Sequence, residues 1–239
     1  GIANAVVEAG HRDAIELTDL AARHVGLDPD EMAVCTTGLI GVELPMALIR
    51  AGMPKVELTH GDGGDAFARS ILTTDRRAKS AAVRCEIDGH RITIGGCVKG
   101  SGMIHPNMAT MLSFLVTDAA VSKSYLRRLL REVADETYNR VTVDGESSTS
   151  DTLLLLANGA AGHPRITGSG SPGATALRRA LGQVAESLAR DLARDGEGAT
   201  KLITVHVEGA KDAKQAERAA RRIANSMLVK TAIFGGDPN

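Results

Sequence analysis

Four short stretches of this chain gather small residues, hydroxyls and charges beside apolar runs: residues 36–41, 95–112, 142–152 and 195–200. Glycine lets backbone come close to a ligand, and hydroxyls donate or accept hydrogen bonds in a dry pocket, so a site could be built from them. The same residue types serve in turns and caps, and residues 147–151 would cap a helix beginning at Thr152. Cys35, Cys85 and Cys97 are odd in number and widely spaced, with no C-x-x-C pair, which signals neither a disulfide framework nor a zinc site. Cys97 falls inside the second stretch and invites a nucleophile reading, but a reduced, packed thiol is the commoner fate of a free cysteine. GSGSPG at 168–173 has the G-x-G-x-x-G spacing of a dinucleotide cradle. The segment before it is polar and holds Pro164 where that motif needs a firm apolar strand, and Pro172 disturbs the turn, so the stretch reads as a loop.

Helical and strand patterns alternate along the chain and have to position these stretches. Ile15, Leu17, Leu20, Ala21 and Val25 give residues 12–25 a helical face, ended by Gly26 and Pro29. Residues 32–36 read as a short buried strand running into Thr37 and Gly38, and 45–51 and 65–72 as short helices. The clearest hairpin spans 82–94, where Val83, Cys85 and Ile87 alternate, Asp88-Gly89 turns the chain, and Ile92 and Ile94 alternate again. A strand over 111–117 precedes a helix capped by Ser122, with Leu126, Leu129, Leu130 and Val133 on its buried face. Further on, the patterns predict a strand over 140–143, an apolar helix over 151–161, a long amphipathic helix over 174–194, a strand over 202–207 and a charged helix over 211–225. Strands interspersed with helices throughout indicate an α/β or α+β protein built in layers.

Composition narrows the function classes. A length of 239 residues allows one large domain or two small ones. With 28 Lys+Arg against 29 Asp+Glu, and three Phe, two Tyr and no Trp, the chain lacks both the cationic excess and the stacking surface of a nucleic-acid binder. The cluster Arg127, Arg128 and Arg131 is followed by Glu132, Asp135 and Glu136 and belongs to a solvated helix face. No apolar run approaches the ~20 residues that span a bilayer, and the first residues lack a signal-peptide pattern, so a soluble, cytoplasmic protein is expected.

Residues 95–112 read GGCVKGSGMIHPNMATML, which strongly resembles the autoprocessing segment of the ornithine acetyltransferase family, also called bifunctional glutamate N-acetyltransferase, of cyclic arginine biosynthesis. CTTGLIG at 35–41, TVDGESSTSDTLLLLANGAAG at 142–162, DGEGATKLITVHVEGA at 195–210 and VKTAIFGGDPN at 229–239 resemble further segments of that family, in family order. Together they cover nearly the whole chain. The resemblance implies an α/β (α+β) fold, a layered αββα-type sandwich of N-terminal-nucleophile type. It divides the chain into an α-chain portion, 1–109, and a β-chain portion, 110–239, sharing one interwoven core.

The resemblance also implies roles. In that family the precursor cuts itself at an Ala-Thr bond, matched here by Ala109-Thr110, and the new N-terminal Thr110 is the nucleophile. An α-amine has a pKa of about 7.7 to 8.0, so near neutral pH part of it is unprotonated and can take the hydroxyl proton itself. The Thr37 hydroxyl and Gly38 N–H match the oxyanion hole, Lys99 a lysine suited to a substrate carboxylate, and Glu197 an acidic residue that holds the substrate amino group. One of Thr73 and Thr74 matches a further substrate contact. Without the resemblance, Lys99 reads as a surface charge, Glu197 as a turn residue and the threonine pair as a helix terminus. His105, five residues before Thr110, invites a His-assisted mechanism, but it precedes Pro106 in a turn and an N-terminal threonine supplies its own base, so a structural role is expected.

The implied reaction moves acetyl from N-acetylornithine to glutamate by a ping-pong route through acetyl-Thr110, without metal or dissociable cofactor. Acetyl-CoA is an additional donor for some family members. The implied partners are these small amino acids, with no nucleic acid or membrane, in an α2β2 heterotetramer of self-cleaved chains. Two other readings compete: an N-terminal-nucleophile hydrolase or aminopeptidase that passes the acyl group to water, and an inactive, unprocessed fragment serving as an assembly module. Family members extend further at both ends, with a C-terminal tail contributing Asn and Thr or Ser to the substrate site, whereas this chain stops at Asp237-Pro238-Asn239. It is expected to be a fragment of a longer precursor or a shortened homologue.

Overall fold

The computed structural model describes residues 2–4, 7–58, 61, 63–105 and 111–238. Asp88 and Gly89 both take positive φ, 49° and 75°, the conformation a two-residue hairpin turn needs to match strand twist. They join β1 (Lys79–Ile87) to β2 (His90–Lys99) in an antiparallel ladder running from Lys79↔Val98 to Ile87↔His90. Antiparallel β3 (Leu112–Thr117) follows beside β2, and β4 (Thr152–Ala157) runs parallel to β3, giving the order β1-β2-β3-β4. A parallel neighbour requires a crossover, and α4 (Lys123–Glu136) lies within it. The Ser122 side chain caps α4 by accepting the Tyr125 N–H, as its sequence position predicts.

One face of the sheet is covered by α5 (Ala174–Arg194), whose Leu177, Leu181, Val184, Leu188 and Leu192 recur at helical spacing and are buried. They meet Ile92, Ile94, Leu115 and Leu155, and Tyr125, Leu129 and Val133 of α4 complete the same core. The alternation puts Val116 and Leu156 on the opposite face, where they are 52% and 56% exposed. Helices α1 (Val7–Val25), α2 (Met46–Gly52) and α3 (Gly63–Ser70) precede the sheet, and α6 (Ala213–Ala224) and α7 (Met227–Gly235) close the chain. The described residues therefore form a mixed α/β structure with a single four-stranded sheet. No helix among them is long and apolar enough to cross a membrane.

Four expected elements are corrected. The apolar helix over 151–161 is strand β4; an apolar run without periodicity is ambiguous, and the open ladder edge of β3 decides for a six-residue strand. This also removes the proposed cap at 147–151. Residues 32–36 form no strand, since the chain here makes only isolated bridges, of Thr37 and Leu39 with Ile2. Tyr138–Arg140 is a 3-10 turn, and 141–143 continue irregularly, with the Val143 N–H donated to the Ile104 carbonyl. Residues 202–207 are irregular, with no ladder beside them.

Gly96 marks a close approach of β2 to β3: a Cβ there would collide with the Phe114 carbonyl oxygen and lie 2.7 Å from Leu115 Cδ2. At Gly95 the nearest atom, Ala82 Cβ, would be 3.4 Å away. Gly96→Ala is therefore expected to cost about 1–3 kcal/mol, as overpacking does. Gly95→Ala should stay within about 0.5 kcal/mol, the contrast being read from urea midpoints.

Candidate active site

The last residue of β2, Lys99, pairs with the first of β3, Leu112, which pairs with the first of β4, Thr152. Three strand ends thus meet at one rim of the sheet, and the polar stretches singled out in the sequence converge on it. Lys99 is 2% exposed, and its Nζ donates to Thr37 Oγ1 at 3.2 Å. An ammonium has only donors, so Thr37 accepts with its oxygen and keeps its hydroxyl hydrogen free to be given elsewhere. That polarity is what an oxyanion donor needs. Gly38, the next residue, has φ 128°, a conformation open to glycine and strained for other residues. The loop is held from the N-terminal side: the Ala3 N–H donates to the Leu39 carbonyl at 2.8 Å and the Asn4 N–H to Thr36 Oγ1 at 3.1 Å.

Burial lowers the Lys99 pKa; the field of Asp75 works against that, the Lys79 charge adds to the lowering, and Glu197 and Asp151 give smaller opposing help. Asp75 accepts the Gly100 N–H at 2.7 Å and the Thr73 N–H at 3.2 Å, and receives the Lys79 ammonium at 2.6 Å. Burial alone would raise the Asp75 carboxyl; the Lys79 ammonium and the Gly100 N–H outweigh it and hold the pKa below its ordinary value. Lys79 is in turn 2.6 Å from Asp195 Oδ2. The Asp195 carbonyl accepts the Ser101 hydroxyl at 2.7 Å, and the Ser101 carbonyl accepts the Glu197 N–H at 2.9 Å. The exposed Glu197 carboxylate lies over Gly102, where a Cβ would come within 2.6 Å of it.

Two carboxylates from the 142–152 stretch hold the chain on either side of residues 106–110. Asp144 accepts the N–H groups of Met103, at 2.6 Å, and Ile104, at 3.1 Å. Asp151 accepts the Met111 N–H at 2.9 Å, and the Thr152 N–H is donated to the Met111 carbonyl at 2.9 Å. Ala109 and Thr110 themselves lie outside the described residues. Met111, covalently next to Thr110, is buried at the rim that holds Lys99 and Thr37. Cys97 is free and buried, and burial raises its pKa, which keeps it a neutral thiol and a poor nucleophile.

Of the residues read from the sequence, Thr37 and Lys99 are in direct contact, and Glu197 reaches the same rim through Ser101 and Gly102. Thr73 and Thr74 are exposed at the end of the segment that Asp75 ties to Gly100, and the geometry does not choose between them. Sequence reasoning misses Asp75, Lys79, Ser101, Asp144, Asp151 and Asp195. Ser101, Asp144, Asp151 and Asp195 stand inside the polar stretches but look like turn and cap residues; Lys79 carries no signal at all.

At one rim of this mixed α/β protein a buried ammonium is turned onto a loop hydroxyl, near the start of β3. The family can be named: residues 1–239 match the ArgJ family model, and the chain belongs to the ArgJ family. It is 52% identical, over its whole length, to the arginine biosynthesis bifunctional protein ArgJ of Symbiobacterium thermophilum, and 47% to that of Lactococcus lactis. In both comparisons it spans 60% of the relative's length. A crystal structure of ArgJ from Bacillus halodurans is similar with TM-score 0.51 and 44% identity, over 53% of this chain and 59% of that one.

Asp151 gives the rim a pH signature. Burial raises its pKa to about 6, against the Met111 N–H and the Lys99 charge, which lower it. The folded state then binds more protons than the unfolded state between about pH 4 and 6, so this group's contribution to stability falls as pH rises through that window. The difference in unfolding free energy between the unaltered protein and Asp151→Asn, followed by urea titration, should shift against the unaltered protein from pH 4 to 6 and level off above.

Proposed function

We propose that the protein is an autoprocessed ornithine acetyltransferase, moving acetyl from N-acetylornithine to glutamate through an acetyl-Thr110 intermediate in cyclic arginine biosynthesis. The observation that carries this reading is the Lys99–Thr37 contact at the rim where the chain resumes after Thr110. Its context is family membership and relatives named arginine biosynthesis bifunctional proteins.

In the processing step, Thr110 Oγ1 bonds to the Ala109 carbonyl carbon, the carbon–nitrogen bond to Thr110 breaks, and the released amine keeps the hydroxyl proton. Water then opens the ester, leaving a carboxylate on Ala109 and a free hydroxyl and α-amine on Thr110. In the transfer, that amine takes the hydroxyl proton as Oγ1 attacks the acetyl carbonyl. The Thr37 hydroxyl and Gly38 N–H stabilise the oxyanion, and the departing ornithine nitrogen takes back the proton. Glutamate reverses these steps with its own amine. Lys99 holds a substrate carboxylate, Glu197 a substrate ammonium, and one of Thr73 and Thr74 a further polar group. Each group is carried covalently, so the scheme calls for no metal or dissociable cofactor; acetyl-CoA is a second donor to be assayed.

The ladder from Ile94↔Thr117 to Lys99↔Leu112 joins strands from both sides of the cut, which supports portions 1–109 and 110–239 remaining one body. The open sheet face at Val116 and Leu156 is where a second sheet would lie in an αββα sandwich of N-terminal-nucleophile type. A cytoplasmic α2β2 heterotetramer is the assembly we propose.

Denaturing gels should resolve two fragments from the unaltered protein and one from Thr110→Ala; a folded, unaltered protein that stays intact contradicts the processing. Thr37→Val, which keeps the shape but loses both the donor and the acceptor of Lys99, should lower kcat/KM for acetyl transfer by about 10²–10³-fold or more.

A further inference from the structure

Lys79 has no part in the transfer chemistry, yet its side chain is fully buried between two carboxylates. A surface ion pair contributes little, and a buried one has to offset the desolvation of every charge in it, so this arrangement needs another use. What it holds is informative. Asp75 Oδ1 takes both Lys79 Nζ, at 2.6 Å, and the Gly100 N–H, at 2.7 Å, and Asp75 Oδ2 takes the Thr73 N–H at 3.2 Å. Asp195 Oδ2 takes Lys79 Nζ at 2.6 Å and the Arg76 N–H at 3.1 Å. The Asp195 carbonyl takes the Ser101 hydroxyl, and the Ser101 carbonyl takes the Glu197 N–H. A single ammonium thus ties together the segment of Thr73 and Thr74, the segment that follows Lys99, and the segment of Glu197. These are three separate parts of the chain.

We infer that Lys79 is a positioning residue for substrate recognition: with Asp75 and Asp195 it forms a buried clamp that fixes the three amino-acid-binding segments relative to one another. The inference rests on the acetyl-transfer reading for the identity of the substrate, but the clamp itself does not. A carboxylate contact at Lys99 and an ammonium contact at Glu197 select an amino acid only if their separation is fixed. The Thr37–Gly38 loop makes no direct bond to Asp75, Lys79 or Asp195 among the described residues; residues 2–4 hold it, and Thr37 is linked toward the clamp only through its hydrogen bond from Lys99, the residue before Gly100. Loosening the clamp should therefore damage recognition of an amino-acid donor and spare acyl chemistry at Thr110.

The test compares the unaltered protein with Lys79→Met and with the milder Asp195→Asn, which keeps an acceptor for the Arg76 N–H and removes one charge from Lys79. Each is acetylated either by N-acetylornithine or by p-nitrophenyl acetate, an activated ester with no amino-acid groups to recognise. With N-acetylornithine, kcat/KM should fall about 100-fold, mostly through KM, the scale of a misplacement near 1 Å, while the ester reacts within about twofold of the unaltered rate. If Lys79→Met does not fold, Asp195→Asn carries the comparison with the same pattern. Equal losses with both donors, or no loss with N-acetylornithine, overturn the positioning role. Amide exchange reads the clamp without any substrate: protection at Thr73, Arg76, Gly100 and Glu197 should fall together in the variants while the β1–β2 ladder keeps its protection. Loss confined to residues adjoining the substitution overturns the clamp. Coupled loss in the variants, together with an unaltered protein that N-acetylornithine never acetylates, supports the clamp and contradicts the acetyl-transfer reading.

Discussion

Two buried ammonium groups dictate the layout of the rim. Lys79 and Lys99 are 1% and 2% exposed, and a charge removed from water persists only where opposite charge and hydrogen-bond acceptors surround it. Asp75 and Asp195 meet Lys79, Thr37 accepts from Lys99, and the fields of Asp75, Glu197 and Asp151 reach Lys99 as well. These partners come from the segment between α1 and α2, the turn after α3, the residue before β4 and the segment after α5. Answering two charges therefore draws distant parts of the chain to the ends of β2, β3 and β4, where the amino-acid substrate we propose would find both a cation and an anion.

The sheet supplies the rigid side of this arrangement. β2 enters the rim and β3 leaves it, and the two are paired along six residue pairs, so Lys99 and the chain resuming at Met111 are held in register. Asp144 and Asp151 anchor Met103, Ile104 and Met111 on the two sides of residues 106–110. Cutting a chain between two paired strands leaves both ends anchored. On the processing we propose, the same segment would serve first as a peptide to be cleaved and then as the support of a nucleophile.

Much of the fold was legible because local signals agreed. The Asp88-Gly89 turn, the Ser122 cap and the leucine spacing of 174–194 each specify an element within a few residues. Thr152–Ala157 reads as helix in the sequence because a run of leucines has no period, and the free edge of β3 makes it a strand. For the site, the family-like strings pointed to Thr37, Gly38, Lys99 and Glu197, and the structure brings Thr37 onto Lys99. Asp75, Lys79 and Asp195 could not be found that way. Their meaning lies in contacts between residues far apart in the chain, such as Arg76 and Asp195, 119 positions apart, and a single buried lysine looks like any other in a sequence.

On the mechanism we propose, Thr110 carries the acetyl group between two amino acids. Intact mass of the protein after mixing with N-acetylornithine, followed by addition of glutamate, tests it in one experiment. The expected result is a fragment beginning at Thr110 that gains one acetyl group, mapped to that residue, and loses it to glutamate faster than to water. Acetyl that never appears on Thr110, or that water removes as fast as glutamate does, would contradict it.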